Sequence, residues 1–70
     1  MKEIYSSMAG TVFQVIAGEG DTVSKGQTVL VLESMKMEIP VDSEHDGTLK
    51  EIKVAVGDFV NEGDILAVLA

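Results

Sequence analysis

The sequence predicts an all-β fold made of two similar halves that face each other around one core. Segments rich in β-branched residues recur along the chain and are separated by turns that contain glycine, which is typical of short strands. A shift of 37 positions, the distance from Gly10 to Gly47, brings the two parts of the chain into register. No stretch shows a sustained 3.6-residue period, so helices are not expected. The predicted strands lie in residues 11–16, 28–32, 49–54 and 65–69.

The repeat aligns residues 10–33 with residues 47–70 without a gap. Eight of the 24 aligned pairs are identical, and three of these eight are glycines in register. Two copies are too few for a solenoid, so the repeat indicates two halves packed on a shared core. The identical pairs are Gly10/Gly47, Thr11/Thr48, Gly20/Gly57, Asp21/Asp58, Val23/Val60, Gly26/Gly63, Val31/Val68 and Leu32/Leu69.

Each half contains the turn pattern G-D-x-V-x-x-G, in residues 20–26 and again in residues 57–63. We expect Gly26 and Gly63 to adopt positive φ, where a Cβ would clash, and the valine of each pattern to enter the core. The aspartates are predicted to form the turns by bonding nearby backbone. A phosphate-binding loop is excluded because the loops are acidic and no strand-to-helix transition follows them.

The first strand of each half has an irregular spacing of its apolar residues. Val12 and Val15 are three positions apart, as are Leu49 and Ile52, whereas a regular strand places its inward side chains two apart. We therefore expect a β-bulge in each of these two strands.

Composition excludes several classes of function. The chain has 5 Lys and Arg against 12 Asp and Glu, a formal net charge of −7, so nucleic acid and anionic membranes are not expected partners. Without cysteine, and with His45 as its one histidine, it offers neither a disulfide framework nor a zinc site. No apolar run has the length of a membrane span or a signal peptide, so we expect a cytoplasmic protein. Residues 1–70 are predicted to form a single domain.

Residues 34–46 lie between the two copies of the repeat. A strand leads into this segment and a short one leaves it. Because proline donates no hydrogen bond, the second strand is expected either to lie at a sheet edge or to end at Pro40. The intervening turn carries Lys36 at or beside its tip, between Met35 and Met37. Exposed methionines suit a surface that several partners grip, which favours a recognition role. A solvated lysine in an ordinary hairpin is the alternative.

These residues resemble the biotinyl domains of biotin-dependent carboxylases. The segment Glu33-Ser34-Met35-Lys36-Met37 is similar to their E-A-M-K-M signature, with Ser34 in place of the commoner alanine. Residues 7–10 resemble the start of the family pattern, S/A-P-M-P-G, with Ala9 in place of the second proline. The two G-D-x-V-x-x-G turns also fall where the family has them. The resemblance covers nearly the whole chain, without the inserted thumb of some acetyl-CoA carboxylase carriers.

The resemblance implies a flattened β-barrel of two four-stranded antiparallel sheets with quasi-twofold symmetry. It also implies that a biotin protein ligase joins biotin to Lys36 through an amide, and that no residue of the chain is catalytic. The biotin would then act as a swinging arm between a biotin carboxylase and a carboxyltransferase that serves an acyl-CoA or another acceptor. Met35 and Met37 would flank the site as recognition elements. The chain is expected to be a minimal free-standing carrier or a domain of a longer subunit.

Glu33 and Glu38 have two interpretations: recognition by the ligase, or a pair of solvated charges facing each other across two strands. Two rival functions also stay open. A lipoyl carrier of a 2-oxoacid dehydrogenase or of the glycine cleavage system would use Lys36 in the same fold, although lipoyl hairpins usually have Asp-Lys-Ala. An unmodified barrel-sandwich module, serving only as structure, is the third possibility.

Overall fold

A computed structural model describes residues 2–70, and every regular element in this part of the chain is a β-strand. The predicted all-β class is therefore confirmed. The strands are β1 Lys2–Tyr5, β2 Gly10–Val15, β3 Thr22–Val23, β4 Thr28–Ser34, β5 Met37–Asp42, β6 Gly47–Ile52, β7 Phe59–Val60 and β8 Ile65–Leu69.

The strands form two four-stranded antiparallel sheets, in the orders β1-β8-β6-β3 and β5-β4-β2-β7. One sheet contains β2 and β4 of the first repeat copy together with β7 of the second. The other contains β6 and β8 of the second copy together with β3 of the first. Each copy thus contributes its short strand to the sheet of the other copy. This is the expected flattened barrel with quasi-twofold symmetry, and it measures 31 × 17 × 17 Å.

The internal symmetry extends further than the sequence comparison suggested. The same shift of 37 positions relates β1 to β5, and it places the buried Ile4 on the buried Val41. It also pairs Ser6 with Ser43, two buried serines whose hydroxyls each donate a 2.6 Å hydrogen bond to the carbonyl two residues ahead. Setting the whole of residues 34–46 outside the repeat was therefore wrong. Only the hairpin turn, residues 34–38, has no counterpart within the described residues.

The turns are formed as the sequence predicted. Asp21 accepts a 2.8 Å hydrogen bond from the backbone NH of Gly18, and Asp58 accepts the equivalent bond of 2.9 Å in the second copy. Gly26 and Gly63 have φ of 88° and 89°, which confirms the positive φ expected of them. An ideal Cβ built on Gly26 or Gly63 would meet no atom within 4 Å, so backbone strain alone favours glycine there.

Both predicted bulges are present. The pairing of β2 with β4 shifts between Val12 and Gln14, and the pairing of β6 with β8 shifts between Leu49 and Glu51. Each bulge adds one residue to its strand, so the next apolar side chain of the strand again faces inward. The bulged residues themselves, Phe13 and Lys50, lie on the outer faces of the two sheets.

Both sheets contribute their inner faces to one apolar core. The valines of the two turn patterns, Val23 and Val60, are buried as expected. Burying an aliphatic side chain of this size contributes about 1.5–3 kcal/mol, and most core positions hold such a residue. The largest side chains without solvent exposure are the leucines at positions 30, 32, 49, 66 and 69.

A substitution at Gly26 tests the role of positive φ in the turns. Gly26→Ala should lower the free energy of unfolding by about 1–3 kcal/mol, because alanine is strained at positive φ although space for its Cβ is available. In a domain of this size that corresponds to a fall in Tm of about 4 °C or more. Gly18→Ala is the matched control, since Gly18 does not have positive φ and its Cβ would make only ordinary contact. Equal stability of the two variants in denaturant unfolding would contradict the argument.

Candidate functional site

The segment between the two repeat copies is a tight β-hairpin. Ser34 of β4 pairs with Met37 of β5, so Met35 and Lys36 are the two central residues of the turn. Their φ values are 53° and 64°. Positive φ at both central residues is the mark of a type I′ turn, whose twist matches that of the flanking strands. Lys36 therefore lies at the tip of the hairpin, as the sequence predicted.

The residues of this turn are unusual for its geometry. Type I′ turns strongly prefer Asn-Gly or Gly-Gly, because these residues tolerate positive φ. Met35 and Lys36 are the non-glycine residues with positive φ in the described chain, and each costs about 1–3 kcal/mol at such a position. The regular pairing of β4 with β5 below the turn holds this strain in place. A strained pair of residues at an exposed tip indicates that their side chains are needed there.

All three residues at the tip are exposed to solvent. Met35 is 88% exposed and Met37 is 57% exposed, while Lys36 also lies on the surface. The turn thus places a primary amine beyond the end of the sheet, between two flexible apolar side chains. An acyl group attached to Nζ of Lys36 would extend away from the core and would displace no packed residue. The donor present, an exposed primary amine, fits a cofactor that is attached through an amide.

Two carboxylates face each other at the base of the hairpin. Glu33 of β4 pairs directly with Glu38 of β5, and both side chains are exposed. The predicted cross-strand pair is therefore present. Like charges in this arrangement destabilise a sheet, so the fold gains nothing from the pair. A cation supplied by a partner protein would relieve the repulsion.

Gly10 at the start of β2 supports the base of the hairpin, and sequence analysis assigned it no such role. A Cβ on Gly10 would lie 3.0 Å from the carbonyl oxygen of Glu33, a contact so tight that a larger residue would push β2 and β4 apart. Its counterpart Gly47 would place a Cβ 2.9 Å from the carbonyl oxygen of Ala70. The identical pair Gly10/Gly47 in the repeat was the sequence feature from which this close contact could have been predicted.

Other polar residues of residues 34–46 have structural roles. The carbonyl of His45 accepts a hydrogen bond from the hydroxyl of Ser43, and a carboxylate oxygen of Asp46 accepts a 2.7 Å bond from the backbone NH of Lys25. Within residues 2–70, no three side chains of the metal-binding types come together. The same residues contain no helix that is long and apolar enough to cross a membrane.

Comparison with known families identifies the class of protein to which this fold and hairpin belong. Residues 2–69 match the biotin/lipoyl family, whose description is "Biotin-requiring enzyme". The match covers nearly the entire chain, so the chain belongs to this family.

Individual relatives narrow the class further. The chain is 52% identical to the biotin/lipoyl attachment protein of Bacillus subtilis over 63 residues, covering 90% of this chain and 86% of that protein. It is 38% identical to the biotinylated protein TB7.3 homolog of Mycobacterium leprae, covering 99% and 97% of the two chains. It is also 43% identical to the biotin carboxyl carrier protein of Streptococcus mutans, covering 90% of this chain and 48% of that protein.

A solved structure shows the same fold inside a much larger protein. The urea carboxylase of Kluyveromyces lactis superposes on 99% of this chain with a TM-score of 0.92 and 33% identity, and the matched region is 6% of that protein. Together with the relatives, this similarity assigns the chain its function. Like these relatives, it is a biotin carrier and not an enzyme.

The strain in the turn can be tested without reference to function. Replacing Met35 and Lys36 by Asn and Gly (Met35→Asn/Lys36→Gly) should raise the free energy of unfolding by about 2–6 kcal/mol over the two positions, because both new residues tolerate positive φ. Lys25→Gly is the control, since Lys25 lies in an exposed turn but does not have positive φ. Urea unfolding of the three proteins decides the question. A double variant no more stable than the wild type would show that the turn is not strained.

Proposed function

We propose that Lys36 is the residue to which biotin is attached, through an amide between Nζ and the biotin carboxyl group. A single observation carries the proposal: the exposed amine stands at the tip of a strained hairpin, in a chain that belongs to a biotin-attachment family. Bound biotin would supply a nitrogen that accepts and releases a carboxyl group. We propose further that residues 1–70 act as one carrier unit in the cytoplasm.

Attachment requires little of this chain beyond presentation of the amine. Nζ of Lys36 would attack the acyl carbon of biotinyl-adenylate held by a biotin protein ligase. The new N–C bond forms as the C–O bond to AMP breaks, and Nζ releases a proton to the solvent. The hairpin contributes a fixed direction for the amine. Acylation removes one positive charge, so a formal net charge of −7 becomes −8.

Three enzymes would meet the hairpin in turn: the ligase, a biotin carboxylase and a carboxyltransferase. Met35 and Met37 offer each of them apolar contacts that adapt in shape, because methionine is flexible and polarizable. Glu33 and Glu38 offer a pair of carboxylates to a cation on the ligase. The barrel stays rigid while the long side chain and its cofactor move, so the tether replaces diffusion by a high local concentration.

Lipoate is the second candidate for the group on Lys36. The relatives do not favour it: one of 52% identity is named for both biotin and lipoyl attachment, whereas others are named for biotin alone. Biotin remains the first choice because Met35 and Met37 flank the lysine as in biotinyl domains. Intact mass of protein from its native host would show a biotinyl increment, a lipoyl increment or neither.

A conservative substitution tests the attachment site. Lys36→Arg keeps the positive charge but removes the primary amine, so incubation with biotin ligase, ATP and biotin should leave the protein unlabelled by streptavidin. The control is Lys25→Arg, which alters another exposed turn lysine and should label at the wild-type rate. Circular dichroism should show that both variants keep the wild-type fold. Labelling of Lys36→Arg at Lys2, Lys25, Lys50 or Lys53 would overturn the assignment.

The methionines can be tested as specificity elements by making the hairpin more similar to a lipoyl hairpin. Met35→Asp with Met37→Ala should slow biotinylation at least about tenfold and should increase the rate of lipoylation, because ligases contact the residues beside the lysine. Both methionines are more than half exposed, so the change should leave the fold intact. Unchanged rates with both ligases would mean that neither methionine contributes to recognition.

A further inference from the structure

Four large apolar side chains are exposed on two neighbouring strands of the hairpin sheet and in the loops next to these strands, and we call them the apolar patch. They are Phe13, Ile16, Val56 and Phe59, with exposed fractions of 45%, 51%, 62% and 65%. Phe13 is the bulged residue of β2, and Phe59 begins β7, the strand that pairs with β2. Exposed apolar groups that cluster in this way mark interaction sites more often than single ones do.

The two aromatic residues of the patch lie on the same sheet as the hairpin. Strand pairing places Glu38, Glu33, Thr11 and Phe59 side by side in one row across the outer face of that sheet. Phe59 is two strands away from Glu33, which is about 10 Å at the usual strand spacing. Phe13 follows two positions after Thr11 on the same face. A protein that covers this face would therefore hold Lys36 at a fixed, short distance.

The internal repeat shows that the fold does not require these apolar residues. The shift of 37 positions relates each patch residue to a residue with the same backbone environment on the other sheet. All four counterparts are polar: Lys50 for Phe13, Lys53 for Ile16, Glu19 for Val56 and Thr22 for Phe59. Because one sheet has polar residues at these four positions, the fold would also allow polar residues at the equivalent positions of the other sheet. The fold therefore does not account for the apolar residues at these four positions.

The polar counterparts are typical of a solvated sheet face. A carboxylate oxygen of Glu19 accepts a 3.2 Å hydrogen bond from the NH of Ile52, and Lys53 forms a 3.2 Å salt bridge with Glu51. The opposite case, an exposed apolar residue on the other sheet with a polar counterpart on the hairpin sheet, is less marked. Tyr5 and Ile65 stand where the hairpin sheet has polar residues, but the Tyr5 hydroxyl donates to Glu3, whose carboxylate raises the pKa of Tyr5.

Charge indicates the kind of partner that fits the patch. The strands of the hairpin sheet carry three carboxylates, those of Glu33, Glu38 and Asp42, and no lysine. A second copy of this chain would bring another formal charge of −7 against this face, which is unfavourable. The complementary surface has an apolar pocket for the aromatic rings and lysine or arginine beside it.

We propose that the apolar patch docks this carrier onto the biotin carboxylase subunit that loads its cofactor. This inference rests on the proposed function of Lys36. In the large urea carboxylase the same fold is 6% of one chain, so a covalent link keeps carrier and enzyme together. Two relatives, of which this chain covers 86% and 97%, have almost its length and no room for such an enzyme. In a carrier of that kind, a docking surface restores part of the local concentration that the link provides.

A patch of this size suits a carrier that must dissociate from the enzyme after each reaction. Four partly exposed side chains, together with the carboxylates of Glu33 and Glu38 in the same row, make a contact at the small, transient end of protein interfaces. Every enzyme that acts at Lys36 meets the hairpin tip, whereas the patch lies lower on the sheet. Substitutions in the patch can therefore weaken binding to one partner without affecting the enzymes that contact only the tip.

Charge-neutral substitutions test the docking surface. Phe13→Gln/Phe59→Thr removes the two aromatic rings, and its second change installs the residue of the other repeat copy. Tyr5→Thr/Ile65→Thr is the matched control, which removes exposed apolar groups from the opposite sheet. Each protein is biotinylated and then offered to the biotin carboxylase of the same host. We expect the KM for the carrier to rise at least about tenfold in the patch variant, with kcat within about twofold and the control unchanged.

Binding is measured separately with Lys36→Arg forms, which carry no cofactor. The Lys36→Arg protein should inhibit carboxylation of the biotinylated wild type competitively, and inhibition should weaken when the patch is also substituted and as salt is added. A patch variant with unchanged KM and unchanged inhibition overturns the proposal while leaving Lys36 as the attachment site. Absence of biotin on the wild type overturns the proposed function instead. Slower labelling of the patch variant by the ligase would overturn the proposal and identify the patch as a ligase-binding surface. A dimer formed by the wild type but not by the variant would overturn it and identify the patch as an interface between two copies of the chain.

Discussion

The exchange of short strands between the two halves is the constraint on which the rest of the structure depends. The NH of Val12 donates a 2.8 Å hydrogen bond to the carbonyl of Asp58, and the NH of Leu49 donates an equal bond to the carbonyl of Asp21. Each sheet is therefore completed by a turn that belongs to the other copy. Neither copy can bury its inner face alone, so both have to form together. A 70-residue chain without cysteine obtains a closed core in this way.

The closed barrel explains how the hairpin can hold a strained turn. Leu30 and Leu32 of β4 are without solvent exposure, and the pairing of β4 with β5 continues from Ser34 back to Thr28. Relaxation of Met35 and Lys36 to negative φ would give a turn whose twist does not match these strands and would splay them apart. Burial of each leucine contributes about 1.5–3 kcal/mol, which offsets strain of about 1–3 kcal/mol at each turn residue. The direction of Lys36 is thus set by residues far from the tip, while its side chain is exposed to solvent.

Much of this architecture could be predicted from the sequence because the repeat provides two samples of each position. The glycine turns, the bulges after Val12 and Leu49, and the exposed lysine hairpin all followed from patterns that occur twice or that stand out between the copies. The match of Ser6 with Ser43 was missed, since the residues around it in the two copies are unlike. The geometry at Met35 and Lys36 could not be predicted either, because neither residue favours positive φ. Strand exchange is a long-range property that no local pattern encodes.

Comparison of the two copies also distinguishes residues that the fold needs from residues that function needs. Positions where the copies agree, such as Gly26 and Gly63, are those that the backbone constrains. Positions where they differ on equivalent surfaces, such as Phe59 and Thr22, are free of that constraint. The hairpin turn is the extreme case, because it follows the first copy and has no equivalent after the second within the described residues.

Among the described residues, β4 pairs with β5 as β8 pairs with β1, but a turn joins only the first of these two pairs. The twofold symmetry of the barrel therefore cannot produce a second copy of the tip. Each chain therefore presents one lysine at such a turn, and on the proposed function it would carry a single cofactor. Symmetry supplies a stable barrel from a short sequence, and the one place where symmetry fails is the place where we propose that the cofactor is attached.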